Sequence, residues 1–155
     1  MKKILTFLVC LAIPLAVGGI SGFATVTGID TWYSTINKPS FNPPNWLFAP
    51  VWTTLYALMG IGLFLVWRSP ESQDRKNALT IFGIQLFLNF CWSFLFFYFE
   101  SPGIAFMEIL VLWVSILMMI FFFRKVSPTA AYLQIPYLLW VSFASVLNAS
   151  IWWLN

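Results

Sequence analysis

The side chains with chemistry to offer are aromatic rings and uncharged amides at helical spacing. Gln85, Asn89, Trp92, Ser93 and Phe96 recur at steps of three and four, so they share one helical face. Tyr137, Trp140, Ala144, Leu147 and Asn148 do the same, with Ser142 and Ser145 alongside. Trp32 and Tyr33 stand together in a proline-rich stretch. Such sets can stack on flat molecules and donate hydrogen bonds, but they supply neither an acid–base pair nor a metal site. His is absent, which removes the commonest general base, the commonest metal ligand and the usual haem ligand. Cys10 and Cys91 lie apart in apolar runs without metal-ligand spacing, and are expected as free thiols. No metal and no resident cofactor are expected.

Each of these sets also has a plainer reading. Polar side chains inside a bilayer turn to the bundle interior, where they can simply join helices. On the residues alone, Asn89 and its neighbours read as such joints first and as ligand donors second. Trp140 reads either as core or as a pocket wall. Pro136 is placed inside a helix, where it frees the carbonyl of Tyr132 and produces a kink. Glu108, the one acid within a span, stands about five residues from its helix start, roughly 7 Å from the edge, so it can reach the interface. Asp30 and Lys38 are placed to pair with each other or with a ligand carboxylate.

These faces need a bilayer around them. Hydrophobic residues make up 61% of the 155-residue chain and charged residues 8%, against roughly 45–50% and about 25% in soluble domains. A water-facing surface cannot be built from so little charge. The net charge of +3 is small and dispersed, so nucleic acid is not a partner. Charge-free runs cover 4–29, 39–67, 77–99, 109–123 and 126–155. With about 20 apolar residues needed per crossing, they predict five transmembrane helices near 4–24, 46–67, 78–99, 103–123 and 129–153. The fold class is an all-α integral membrane bundle, one domain over 1–155. Sustained period-2 alternation is missing, which disfavours a β-barrel, and no internal repeat is visible.

Met1-Lys2-Lys3 before an apolar stretch also resembles a signal peptide, but the run is long and contains Gly18 and Gly22 in a GxxxG pair, which favours a retained helix. Lys2, Lys3, Arg68, Arg75, Lys76, Arg124 and Lys125 fall on one side and Lys38 on the other. The positive-inside rule then puts the N-terminus in the cytoplasm and the C-terminus outside. Between the first two spans, residues 25–45 carry Pro39, Pro43 and Pro44 among Trp32, Tyr33 and Phe41, too aromatic for a disordered loop. This segment is expected to fold down as a lid.

At this point the chain resembles a known family. Trp32-Tyr33, Lys38-Pro39-Ser40-Phe41, Pro43-Pro44 and Pro50-Val51-Trp52 with Leu55-Tyr56 stand in order as in the TspO/translocator-protein (TspO/MBR) family, also called the peripheral-type benzodiazepine receptor family, in its bacterial form. Gln85-Leu86, Leu88-Asn89 and Trp92-Ser93 match its third helix, and Ile135-Pro136-Tyr137, Trp140 and Phe143-Ala144 its fifth. The resemblance implies a five-helix bundle with a ligand pocket roofed by the first loop, and porphyrins, sterols or benzodiazepine-like molecules as ligands. Carried onto this sequence, it implies Trp32, Tyr33, Trp52, Asn89, Trp92, Trp140, Phe143 and Ala144 as ligand-binding residues under a lid holding Lys38, Pro39, Pro43 and Pro44. It also moves Asn89 from joint to ligand donor. Two departures are visible. Val146–Trp152 lacks the Tyr and basic residue of the cholesterol-recognition pattern, and Gly83 is followed at i+4 by Phe87, interrupting the small-residue pair linked to family homodimers.

The leading expectation is a membrane receptor or carrier for a flat hydrophobic ligand, porphyrin first. The alternatives are light- or oxidant-dependent porphyrin breakdown, for which the resemblance offers Trp32 and Trp140, and a structural membrane subunit. Ion-coupled transport is disfavoured by the near absence of intramembrane carboxylates. The setting expected is a bacterial cytoplasmic membrane. A Thr35→Cys variant should react with an impermeant thiol reagent added outside intact cells, and a Gln73→Cys variant should not; the opposite pattern reverses the orientation.

Overall fold

Backbone that cannot reach water must bond to itself, and this chain does so as helices almost throughout. The computed structural model describes residues 2–155. Helix α1 spans Lys2–Ile29 and is followed by a short turn of helix, α2, at Trp32–Thr35. A 3-10 turn at Asn45–Leu47 leads into α3, Phe48–Trp67. Helix α4, Gln73–Ser93, continues as a π-helical turn over Phe94–Tyr98. Then come α5 at Pro102–Val126, α6 at Pro128–Tyr132 and α7 at Ile135–Leu154. Taken as continuous segments, five are long and apolar enough to cross a membrane: Lys2–Ile29, Asn45–Trp67, Gln73–Tyr98, Pro102–Val126 and Pro128–Leu154.

The ends differ from the expected ones for local reasons. Thr25 and Thr27 look like loop residues, but their hydroxyls bond back to the carbonyls of Ser21 and Ala24 and both stay helical. The first helix therefore runs on to Ile29, and the loop expected at 25–45 is shorter and partly helical. The third span starts early because Ser72 caps it, its Oγ accepting from Arg75 N at 3.1 Å, with Asp74 in the first turn. Pro136 does not kink a helix interior. It occupies the first turn of α7 after a break at Leu133–Gln134, where a missing N–H costs nothing. The break is tied down by buried Gln134, whose Nε2 donates to the Leu58 carbonyl of α3 at 3.2 Å.

All the basic residues except Lys38 gather at one end, where Lys125 meets Asp74 at 3.6 Å and Arg75 meets Glu71 at 3.5 Å. The other end carries residues 30–44 and is called here the lid end. Near the basic end α1 is pressed against α3, with the Phe7 and Phe64 rings 5.2 Å apart and Gly60 against the backbone of Leu11. Toward the lid end α1 leans away to the third span, where a side chain at Gly28 would strike the backbone of Phe97. Gly18 leaves room for the Tyr56 ring, whereas Gly22, its GxxxG partner, faces open space. The core follows α3, α4 and α5 through Met59, Val66, Phe82, Ile109, Ile116, Met119 and Phe123. Gly83 and Phe87 both lie on the exposed face of α4.

Gly28→Ala should lower unfolding stability in detergent by about 1–3 kcal/mol, since the added methyl overpacks against backbone that cannot swing away. Gly83→Ala, where the methyl meets nothing, should show no loss in the same thermal unfolding assay.

Candidate functional site: an aromatic cavity beneath the lid

Five elements bring rings to one place. Helix α3 presents Phe48 and Trp52, and α4 presents Trp92. Phe96 and Phe97 come from the π-helical turn, whose wider winding turns two successive rings inward. Helix α7 gives Trp140, Phe143, Ala144, Leu147 and Asn148, and α2 gives Tyr33 from above. Trp92 stacks on Phe96 at 5.2 Å, Trp140 packs beside Phe143 at 5.5 Å, and Phe48 meets Trp140 edge-on at 6.2 Å. So well do these rings fill the space that the cavity is only about 20 Å³, room for one water.

Polar side chains hold this cluster from below. The Tyr56 hydroxyl donates to Asn89 Oδ1, Asn89 Nδ2 donates to the Tyr137 hydroxyl at 3.1 Å, and Tyr137 donates to Gln85 Oε1 at 2.9 Å. All four residues are buried. Asn89 is thus occupied by protein partners beneath the cavity floor and does not line it, which departs from its expected place as a ligand donor. The reason is the reach of two tyrosines from neighbouring helices. Asn148, by contrast, is in the wall: its Oδ1 accepts from Trp92 Nε1 at 3.1 Å and its Nδ2 donates to the Pro102 carbonyl at 2.7 Å.

The lid is internally tied. Lys38 Nζ donates to the carbonyls of Tyr33 (2.6 Å) and Ile36 (3.0 Å) and lies over the Tyr33 ring, so it does not pair with exposed Asp30. Pro39 begins a turn closed by Asn42 N at 3.0 Å, and Pro44 one closed by Leu47 N at 3.0 Å. Pro43 accepts from the Asn42 amide at 3.1 Å. The Tyr33 hydroxyl donates to Asn42 Oδ1; burial pushes its pKa up to about 12, so the proton stays through the neutral range. Asn37 and Asn155 exchange backbone–amide hydrogen bonds of 3.0 and 2.9 Å, stitching the lid to the last helix.

Tyr33, Trp52, Trp92, Trp140, Phe143 and Ala144 are brought together as expected from the sequence. Trp32 is not. Its ring lies behind Phe96, edge-on at 5.5 Å, and faces a separate surface groove of about 710 Å³ with Trp152. Successive residues on a helical turn point about 100° apart, and here Tyr33 takes the inward direction and Trp32 the outward one. Phe96 falls where its place on the Trp92 face puts it, but Phe48 and Phe97 were missed as site residues; the four-residue step from Trp52 could have found Phe48, while the π turn that adds Phe97 leaves no α-helical signal. Trp113 packs half-buried against the core, and its Nε1 donates to Ser142 Oγ at 2.8 Å, joining α5 to α7. Glu108 does not reach the interface, for both carboxylate oxygens are enclosed and unpartnered among the described residues. Cys10 and Cys91 are free thiols.

Five apolar spans around a lidded aromatic cavity define a multi-pass α-helical membrane protein. The chain belongs to the TspO/MBR family, whose family model matches residues 10–154. It is 43% identical over 155 residues to the tryptophan-rich protein TspO of Chlorobaculum tepidum, covering 99% of this chain and 98% of that one. Identity to the tryptophan-rich protein TspO of Archaeoglobus fulgidus is 40% over 153 residues, 99% of each chain. Identity to the translocator protein of Ovis aries is 38% over 138 residues, 87% of this chain and 82% of that one.

Tyr137→Phe removes the hydroxyl at the centre of the polar chain and leaves Asn89 and Gln85 without it. Thermal unfolding in detergent should show a loss of about 1–2 kcal/mol, the upper range for such bonds between membrane helices. An unchanged midpoint would mean the chain contributes nothing to holding the helices.

Proposed function

We propose that this protein is a membrane receptor or carrier for a flat hydrophobic molecule, with a porphyrin as first candidate. The observation that carries the reading is the cavity itself, walled by Tyr33, Trp52, Trp92 and Trp140 with phenylalanines between them and lined by no carboxylate or basic side chain. Rings so arranged recognise a ligand by stacking and shape, and free-base and metallated macrocycles should serve alike. Ligand cavities for such molecules measure roughly 300–1,000 Å³, so binding requires the rings to part. The positive-inside rule, applied to the basic end, turns the lid outward from the cytoplasm of a bacterial cell. Family kinship and the relatives' names, tryptophan-rich protein and translocator protein, agree with a ligand-handling role.

Titration of purified protein with protoporphyrin, followed by tryptophan quenching, tests this reading. Trp140→Ala removes a wall of the cavity and should cost about 1–3 kcal/mol, a roughly five- to 150-fold weaker affinity. Trp140→Phe should keep most of the binding. Trp32→Ala acts only through Phe96 and should cost less than Trp140→Ala, and Trp153→Ala, 90% exposed, should cost nothing. If Trp140→Ala binds as tightly as the unmodified protein with its fold intact, the cavity is not the site.

A further inference from the structure

Beside the aromatic cavity lies an open cleft of about 480 Å³ between the lid-end halves of α1 and α3. Its shape follows from the way α1 is held. Gly60 lets α1 touch α3 near the basic end, and Gly28 lets it touch the π-helical turn near the lid end, so the two helices diverge between these contacts. Gly19, Gly22 and Val26 form one wall, Ala49 and Thr53 the other. Gly19, Val26, Ala49 and Thr53 are exposed, and all belong to apolar spans, so this mouth opens sideways toward lipid. At the back stand Phe48 and Trp52, which also line the aromatic cavity. These two rings are common to the walls of both spaces.

A second observation points to a passing ligand. Ser21 lines the cleft at 3% exposure, and its Oγ, beside the Tyr56 hydroxyl, makes no hydrogen bond of ordinary geometry. A serine in mid-helix usually bonds back to its own helix, as Thr25 does here. A buried hydroxyl so weakly held can meet an acceptor such as a carboxylate or carbonyl on an apolar guest. The lid, meanwhile, is stitched shut from above through Asn37 and Asn155.

We propose that the cleft between α1 and α3 is the membrane-side entrance to the aromatic cavity, admitting a flat apolar ligand dissolved in the bilayer, with Phe48 and Trp52 as the door. This rests on the reading of the cavity as a ligand site. Phe48 is assigned the swinging leaf, its ring partners Tyr33 and Trp140 being edge-on at 6.4 and 6.2 Å. Trp52 is braced by stacking on Tyr56 at 5.5 Å.

The cleft can be plugged without disturbing the helices, because a side chain begun at Gly19 or Gly22 meets nothing within 4 Å. In phospholipid vesicles, Gly19→Phe combined with Gly22→Leu should slow protoporphyrin association and dissociation alike, by about tenfold, and leave the affinity within about twofold. Thr53→Trp, which plugs from the opposite wall, should do the same and serves if the first variant is unstable. Unchanged rates in a folded plugged protein overturn the proposal. So does a weakened affinity with unchanged association, which would make the cleft the binding site. Faster exchange in Asn155→Ala, with no effect of plugging, would put the entrance at the lid and also overturn it. A second readout needs no porphyrin. Brominated phospholipid should quench the Trp52 emission, taken as the difference between the unmodified protein and Trp52→Phe, and plugging should reduce that quenching. Absent quenching closes the cleft to lipid and overturns the proposal, whereas failure of the unmodified protein to bind porphyrin, with quenching present, defeats only the reading of the cavity.

Discussion

The arrangement of this bundle depends on one buried chain of hydrogen bonds, from Tyr56 through Asn89 and Tyr137 to Gln85. Lipid offers no competing donors or acceptors, so these groups must find one another, and doing so fixes the height of three spans. One helical turn toward the lid from each of three members stands a tryptophan: Trp52 before Tyr56, Trp92 after Asn89, Trp140 after Tyr137. A turn rises about 5.4 Å. The polar layer therefore sets the level of the aromatic layer, and a slip of any of the three helices would take a ring out of the cavity.

Closure of that cavity has the same origin as the affinity for flat guests proposed for it. Aromatic side chains gain from offset and edge contacts with whatever ring is nearest. With no guest they pack on each other, leaving about 20 Å³. A planar macrocycle would exchange ring–ring contacts for ring–ligand contacts of the same kind, so opening loses little dispersion energy. A bulky, non-planar molecule would break the ring contacts without replacing them. Selection by shape needs no charged side chain.

The spans were legible because a bilayer tolerates so few charges that their positions nearly draw the topology. Facing was legible in α4 and α7, where three- and four-residue steps place Trp92, Trp140 and Ala144 correctly. It failed in the π turn and in the single helical turn of the lid. The π turn at Phe94–Tyr98 inserts Phe97 into the wall, and the tight turn at Trp32–Thr35 sends Tyr33 in and Trp32 out. Neighbouring aromatics look equivalent in a sequence. Asn89 shows a different limit: its residue type says that it must be satisfied, but whether by protein or ligand depends on tyrosines 33 and 48 positions away.

The glycines of α1 show why composition alone under-determines a membrane helix. Gly18 and Gly28 are contact residues, each replaced in space by a neighbour's ring or backbone. Gly19 and Gly22, in the same run, touch nothing at the point where a side chain would begin. A small-residue pattern usually signals close helix approach, yet here the two contact glycines pull α1 toward different partners along its length. The space opposite Gly19 and Gly22 is the geometric result: a helix pinned to Tyr56 and Phe97 cannot also lie along the rim of α3. The width of the cleft is accordingly set by packing at its ends, not by the residues that line it, so lining residues can vary in size without closing the bundle around them.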